Sequence, residues 1–143
     1  MTQSDPPPPT VRAQISPKEL EDLGVLRGLA WVPIWGIISS CKVVDLLAGG
    51  ILLEQGQSNN SLFVIIEGSL SVRLGASDGA EIAVLTKGES VGELSIIDDR
   101  PASAWVVAMV PSRLLQIEEG TFWDLVATSH QFAVNLLLLL SSR

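Results

Sequence analysis

The sequence predicts a single, mainly β domain: an antiparallel sandwich or barrel with helices at both ends. Short segments rich in β-branched and aliphatic residues alternate with turn residues between Lys42 and Glu118, as the strands of such folds do. Apolar residues recur at helical spacing before and after that region. The 143 residues, 47% of them hydrophobic, suffice for one compact core and leave little room for a second domain.

The amino-terminal part divides into an arm and a helical lead-in. Residues 1–14 are polar and rich in proline, which predicts a flexible or extended arm, so we place the folded domain at 15–143. Ser16-Pro17 predicts a helix start, with serine as the N-cap and proline in the first helical position. A second short helix is expected from Val32 to Cys41, within a lead-in over 30–41.

The β-barrel is placed at 42–118. Gly-rich and polar turns separate its segments, and glycine and asparagine favour the backbone conformations that tight turns need. Leu70, Val72 and Leu74 alternate with Ser71 and Arg73, so this strand is expected to have one solvated face. The predicted strands contain Val43–Val44, Ile51–Leu53, Leu62–Ile66, Leu70–Leu74, Ile82–Leu85, Trp105–Ala108 and Leu114–Ile117.

Helical spacing returns over 120–143. Phe122–Val126 predicts a short amphipathic helix, and Ser129 is a candidate N-cap for a last helix from His130 onward. That last helix carries apolar residues on every face, so it must be buried on several sides. We expect it to form a homodimer interface or to continue into a further segment.

Composition argues against several functional classes. A net charge of −7 opposes direct nucleic-acid binding, which requires basic residues to neutralise phosphates. The apolar runs are too short to span a membrane, and no secretory signal is visible, so we expect a cytoplasmic protein. Cys41 and His130 are the only cysteine and histidine, so neither a zinc cluster nor a nucleophile–base pair is expected, and the segment should not be an enzyme.

The most informative segment runs from Gly88 to Trp105. It predicts a strand end, a one-turn helix beginning near Gly92, a tight turn at Asp98–Pro101 and a new strand. Amide groups at the start of a helix bind anions, and glycine lets a phosphate approach closely. Glu93 adds a carboxylate that accepts hydrogen bonds from a sugar hydroxyl.

This segment resembles the phosphate-binding cassette of the cyclic-nucleotide-binding domain family, which includes the catabolite activator protein and the protein kinase A regulatory subunit. Gly92-Glu93-Leu94-Ser95 and Ser103-Ala104-Trp105 match the family pattern, and turn glycines at positions 56, 68 and 88 extend the match. The resemblance implies a jelly-roll barrel with amino-terminal helices and carboxyl-terminal hinge and lid or dimerisation helices.

The resemblance also implies roles for individual residues. The amides of Glu93 and Leu94 would face the cyclic phosphate, and the Glu93 carboxylate would hold the ribose 2′-hydroxyl. Ser103 and the Ala104 amide would complete the phosphate contacts, beside Ser95. The candidates for the apolar wall of the pocket are Val64, Val72 and Leu74, and Val91 is a further candidate ligand-binding residue.

One departure from the family pattern concerns charge. Ala102 stands where the family places its phosphate-pairing arginine, and Arg100 lies two residues earlier, beyond Pro101. Loss of a desolvated ion pair costs on the order of 3–5 kcal/mol. Three alternatives follow: Arg100 replaces the missing arginine, the pocket takes another ligand, or it takes none. Arg100 is also expected to pair with Asp98 or Asp99 in the turn.

We therefore expect a regulatory, ligand-sensing domain with a degenerate cassette that controls an attached or partner output domain in bacterial signalling. Its ligand would be a cyclic nucleotide, cAMP or cGMP, or another small anion. The sequence also resembles modules that precede diguanylate cyclase (GGDEF) domains, at Val91–Ser95 and Pro101–Ala104. The alternatives are a structural dimerisation module with a dead pocket and the sensor half of a Crp/Fnr-like transcription regulator.

Overall fold

A computed structural model describes residue 15 and residues 17–142. The arm over 1–14 and the N-cap at Ser16 lie outside the described residues. The helices are α1 (Pro17–Leu20), a 3-10 turn (Gly24–Leu26), α2 (Trp31–Ile38), α3 (Glu93–Ile97), α4 (Glu119–Thr128) and α5 (His130–Ser141). The strands are β1 (Lys42–Leu46), β2 (Ile51–Leu53), β3 (Ser61–Glu67), β4 (Ser69–Leu74), β5 (Ala80–Thr86), β6 (Ser90–Val91), β7 (Trp105–Ala108) and β8 (Ser112–Glu118).

The strands form two four-stranded antiparallel sheets, in the orders β1-β8-β3-β6 and β2-β7-β4-β5. Consecutive strands therefore repeatedly cross from one sheet to the other, which is the connectivity of a jelly roll. The mainly β fold with flanking helices is confirmed. The short strand β6 was not predicted as a strand of its own, because two residues are too few to show a period of two.

Strand β3 separates two apolar cores and is buried on both of its faces. Phe63 and Ile65 point into the core between the sheets, whereas Leu62, Val64 and Ile66 point toward the helices. Alternate residues of a strand face opposite sides, so this division follows from the pleat. The helical side holds the larger cluster, including Leu20, Leu26, Ile38, Ile96, Phe122, Leu125, Phe132 and Leu136.

The predicted solvated face of β4 is wrong at Ser71. Its side chain is fully buried, and its hydroxyl donates to Glu81 Oε2 at 2.5 Å and accepts from Arg73 Nε at 3.0 Å. Arg73 and Glu81 lie opposite each other on β4 and β5. Their long side chains therefore cover the hydroxyl and satisfy it, so a polar residue is buried without an unpaired group.

The amino-terminal turn is joined directly to the last helix. The side-chain amide of Asn135 on α5 donates to the carbonyl of Val25 at 2.9 Å and to the carbonyl of Arg27 at 2.8 Å. Gly24 in this turn has φ +36° and lies against the Gly88 carbonyl, where a Cβ would overlap the carbonyl oxygen. The amino-terminal turn therefore packs against the barrel at Gly88 and is hydrogen-bonded to α5.

The two carboxyl-terminal helices pack through aromatic side chains. The rings of Phe122 and Phe132 are both fully buried and meet edge-to-face, with centroids 5.7 Å apart. Ser129 caps α5 as predicted, because its hydroxyl accepts from the Phe132 amide at 3.2 Å. Among the described residues no single helix is long and apolar enough to cross a membrane; only α4 and α5 taken together, bent by 113°, pass that test of length and composition.

Helix α5 is buried on one face only within this chain. Phe132 and Leu136 are buried, whereas Leu137 and Leu138 are 66% and 63% exposed. The expectation that this helix is covered on several sides is therefore not met by the chain alone. A partner that covers it stays a prediction, because large apolar residues side by side on a surface are typical of an interaction site.

Cys41 is expected to resist thiol reagents in the folded protein. It is buried, and desolvation, with a smaller contribution from the negative charge of Glu118, raises the pKa of its thiol from 9.0 to about 12. Only the thiolate is nucleophilic, so labelling with a disulfide reagent at pH 8 should be at least about tenfold slower than in urea. The pKa of the Cys41 thiol is higher in the folded protein than in the unfolded chain. Its contribution to the free energy of unfolding is therefore fully present below about pH 9 and is lost as the pH rises toward 12. Equal labelling rates with and without urea would contradict this prediction.

Candidate ligand-binding site

The cassette begins at a glycine that no other residue can replace without strain. Strand β6 pairs with β3 through Val91 and Phe63, and the chain then turns into α3 at Gly92, with φ +103°. A Cβ at Gly92 would overlap the carbonyl oxygen of Ser61. That carbonyl also accepts from Asn59 Nδ2 at 2.8 Å, which holds the Asn59–Ser61 turn against the cassette.

We expect Gly92→Ala to destabilise the fold by at least about 2 kcal/mol, because the left-handed backbone and the overlap with a carbonyl both penalise a side chain. Gly56→Ala is the matched control: Gly56 has φ +86° but open space around its Cβ position. Gly56→Ala should lower the free energy of unfolding by about 1 kcal/mol, because only the left-handed backbone conformation penalises the added side chain. Urea unfolding followed by circular dichroism measures both, and equal losses would show that the overlap does not matter.

The turn after α3 holds Arg100 at the surface. Asp99 adopts a left-handed conformation with φ +52°, and the Arg100 guanidinium forms an ion pair with Asp98. The side chains of this pair are 66% and 54% exposed, respectively. The expected pairing of Arg100 within the turn is therefore observed, and the Arg100 guanidinium is paired with the solvent-exposed carboxylate of Asp98.

Ala102 is fixed by backbone pairing to the loop that follows β2. Its amide donates to the Gln57 carbonyl at 2.9 Å, and its carbonyl accepts from the Gly56 amide at 2.8 Å. Its methyl group is buried with the core between the sheets, alongside Leu53 and Val106. The position that matches the family's arginine is thus held rigidly, with an apolar side chain.

A cavity of about 130 Å³ lies in front of the cassette. Small-molecule sites usually measure ~300–1,000 Å³, so this one encloses only part of a nucleotide-sized ligand. The structure brings together ten of the twelve residues singled out from the sequence and adds three more. The lining residues are Leu53, Val72, Val91, Gly92, Glu93, Leu94, Ser95, Arg100, Pro101, Ala102, Ser103, Ala104 and Val106.

Val64 and Leu74 do not line this cavity. Val64 belongs to the opposite face of β3 and packs in the helical core, and Leu74 is 45% exposed at the end of β4. Of the three residues that the sequence did not single out, Val106 had a signal in the sequence, because it lies in the predicted strand Trp105–Ala108, which begins directly after Ala104. Leu53 comes from β2, which only the sheet pairing places beside this strand.

The charges around the cavity are unevenly distributed. Glu93 is 1% exposed, whereas Arg100 is the only lysine or arginine among the lining residues of the described chain and its side chain is largely in solvent. The buried part of the site therefore holds a carboxylic acid and no basic side chain. A site of this kind differs from one that neutralises a phosphate, which relies on buried arginine or lysine.

The model of the family described as cyclic nucleotide-binding domain matches residues 43–129, which include most of the barrel and helix α4. The chain belongs to the cyclic nucleotide-binding domain family. The resemblance seen in the sequence is thereby confirmed, together with the jelly-roll fold. The link to diguanylate cyclase (GGDEF) proteins stays a prediction.

The following relatives are named as regulators or activators. It is 28% identical over 109 residues to the cAMP-activated global transcriptional regulator CRP of Salmonella typhimurium, covering 74% of this chain and 50% of the relative. The Thermus thermophilus catabolite activator protein has a TM-score of 0.73 and 26% identity, with 84% of this chain and 57% of that chain covered. The sensor domain of the transcriptional regulator DNR from Pseudomonas aeruginosa, at 22% identity and a TM-score of 0.73, shares the fold over 90% of this chain and 92% of its own.

The chain spans about half the length of the curated relatives it matches. Its relatives are named as regulators and not as catalysts, in line with a regulatory class for the family member. Several expectations stay predictions: that this segment is not an enzyme, that it does not bind nucleic acid itself, and that it is cytoplasmic. The second needs its own test, because the relatives named above are transcriptional regulators.

Proposed function

We propose that this domain senses a small ligand in the cassette cavity and controls an output domain or partner through its carboxyl-terminal helices. The observation that carries the proposal is the cavity itself, which is lined by both Gly92–Ser95 and Ala102–Ala104. Gly92–Ser95 and the Ser103-Ala104 pair match the family pattern, whereas Ala102 departs from it. Relatives named as cAMP-activated regulators support a cyclic nucleotide as the reference ligand.

The cassette lacks a basic side chain at position 102, where the family pattern has an arginine. A buried phosphate without a basic partner is penalised by several kcal/mol, and Ala102 offers only a methyl group. Cyclic AMP and cyclic GMP should therefore bind far more weakly than they would with an arginine at position 102. The residues proposed to touch a ligand are those of the cassette and Val72; Val64 and Leu74 are not among them.

The cassette and the carboxyl-terminal helices share one core, which gives a route for the signal. Ile96, on the short helix α3, is buried in the same cluster as Phe122 and Phe132. A ligand that shifts α3 therefore changes the packing under α4 and α5, and packed interfaces respond by moving between discrete arrangements. The exposed Leu137 and Leu138 are the proposed homodimer contacts on α5.

Calorimetry with a panel of ligands tests the proposal. The panel contains cAMP, cGMP and cyclic di-GMP together with adenosine and guanosine, at protein concentrations near a millimolar because weak binding is expected. Binding of any member, with altered proteolytic protection of α4 and α5, supports a sensor. Absence of heat with every member contradicts it.

The second candidate is a structural dimerisation module with a dead pocket. The observation that favours it is the pair of exposed leucines on α5, which do not depend on a ligand. Sedimentation with and without ligand separates the two candidates. A dimer that Leu137→Ser dissociates, in a protein that binds nothing from the panel, would establish the module.

Arg100 is expected to contribute little to ligand affinity. Its guanidinium is paired with Asp98 in solvent, and exposed ion pairs contribute at most about 1 kcal/mol. Arg100→Gln should therefore change the affinity for cAMP less than about fivefold, and Asp98→Asn, which releases the guanidinium, is the informative companion variant. A loss of a hundredfold in Arg100→Gln would mean that Arg100 replaces the missing arginine.

A further inference from the structure

Helix α2 presents an apolar face to solvent. Ile34 and Ile38 are buried and anchor the helix to the helical core, whereas Val32, on the opposite side of the helix, is 95% exposed. Residues 28–41 contain no lysine, arginine, aspartate or glutamate. A large apolar residue on an uncharged surface is typical of the centre of a protein–protein interface, where charged residues are depleted.

Two tryptophans border this face and are held in place. Trp31 and Trp35 are partly buried against the helical core, and their rings meet edge-to-face with centroids 6.2 Å apart. A ring held in this way loses little conformational freedom when a partner covers its exposed part. Tryptophan is also among the residues that contribute most to the free energy of binding at interfaces.

The exposed face of α2 carries a projection and a gap one helical turn apart. Val32 projects into solvent, and Gly36 follows it at i+4, on the same side of the helix. Apart from the helix backbone and the two adjoining residues, no described atom lies within 4 Å of the position that a Cβ would take at Gly36. The surface over Gly36 is therefore open to a side chain from another molecule.

We propose that α2 docks against α2 of a second copy of this chain, as an antiparallel pair about a two-fold axis. Val32 of each copy fills the gap over Gly36 of the other, and the exposed parts of Trp31 and Trp35 cover the contact. A two-fold interface requires this reciprocity, because both copies use the same surface. This interface does not depend on a ligand, and it lies on a different helix from the contacts proposed on α5.

A second copy suits this face for two reasons. Each chain has a net charge of −7, so two copies repel each other least where the surface is uncharged. The projection and the gap of one helix are complementary to each other, which a two-fold pair uses twice. A lipid surface fits less well, because helices that lie on membranes usually carry lysine or arginine on their polar side, and α2 has neither.

The association is expected to be weak. A helix of eight residues covers less than the ~800 Å² per partner that stable complexes bury. The Kd should therefore lie between roughly 1 µM and 1 mM. Sedimentation equilibrium on the full chain, from micromolar to near-millimolar concentrations, measures it.

Val32→Glu should weaken self-association at least about tenfold, because it places a carboxylate from each copy in the contact. Leu47→Glu is the matched control, since Leu47 is 80% exposed between β1 and β2. It adds the same charge away from α2 and should leave the association within about twofold at physiological salt. Both positions are exposed, so neither substitution should disturb the fold.

Gly36→Ala separates docking from the stability of the helix. The added methyl group partly closes the gap and should weaken association at least about threefold. Alanine is nevertheless the better helix former, so the melting temperature should stay the same or rise. Each variant is measured alone and together with Leu137→Ser, which removes the proposed contact on α5.

Dimerisation that Val32→Glu weakens and Leu47→Glu does not supports the proposal. A chain that is monomeric at every concentration overturns it, as does equal association of these two variants. Loss of all association in Leu137→Ser alone also overturns it, because the contact then belongs to α5. Binding of a monomeric chain to phosphatidylcholine vesicles, abolished by Val32→Glu, would make a lipid surface the occupant and would equally overturn the proposal.

Discussion

Ala102→Arg should raise the affinity for cAMP by at least about a hundredfold. Ala102 lines the cavity, and its backbone is held by hydrogen bonds to Gly56 and Gln57. The backbone of an arginine at this position would therefore be held in place beside the cavity. A desolvated, bidentate arginine–phosphate contact is worth several kcal/mol, and 3 kcal/mol corresponds to about 150-fold. Isothermal titration calorimetry measures the change directly.

A control separates charge from size. Ala102→Gln adds a long polar side chain without a positive charge and should leave the cAMP affinity within about tenfold of the unaltered protein, since a neutral hydrogen bond contributes about 1 kcal/mol. Both variants place a larger side chain beside the core between the sheets, so each needs a melting curve. If glutamine restored binding as well as arginine did, the missing charge would not be the cause of weak binding.

Phe132→Ala should destabilise the folded domain by about 3–5 kcal/mol, the usual cost of truncating a fully buried phenylalanine. The ring lies at the centre of the helical core and meets Phe122 edge-to-face. That loss is a large share of the ~5–15 kcal/mol by which domains are stable. Urea unfolding monitored by tryptophan fluorescence gives the difference in unfolding free energy.

Leu137→Ala is the matched control on the same helix, because Leu137 is 66% exposed. In a monomer it should change the unfolding free energy by no more than about 0.5 kcal/mol. If α5 forms a homodimer, the effect should instead grow with protein concentration, since association stabilises the folded state by mass action. A Phe132→Ala loss no larger than the Leu137→Ala loss would show that the helical core is not packed as described.

The sequence predicted the β elements well where a strand has a β-branched run and clear turns, as at Ile51–Leu53 and Trp105–Ala108. It failed at Val64, because β3 is buried on both faces and a continuous apolar run does not reveal which side each residue faces. The ion pair of Arg100 with Asp98 was predictable, since the two residues are neighbours in one turn. The contribution of Leu53 to the cavity was not, because it depends on pairing between strands far apart in sequence.

The two hydrogen bonds from Asn135 to the carbonyls of Val25 and Arg27 link the start of the domain to its end. Thermodynamic linkage is reciprocal, so under the proposed function a partner that binds the amino-terminal turn would change ligand affinity by the same factor by which the ligand changes the affinity for that partner. Under the proposed function, the amino-terminal turn is therefore a second site of regulation, besides the proposed output through α5. Asn135→Leu removes both hydrogen bonds and, under the proposed function, is expected to weaken the coupling in both directions equally.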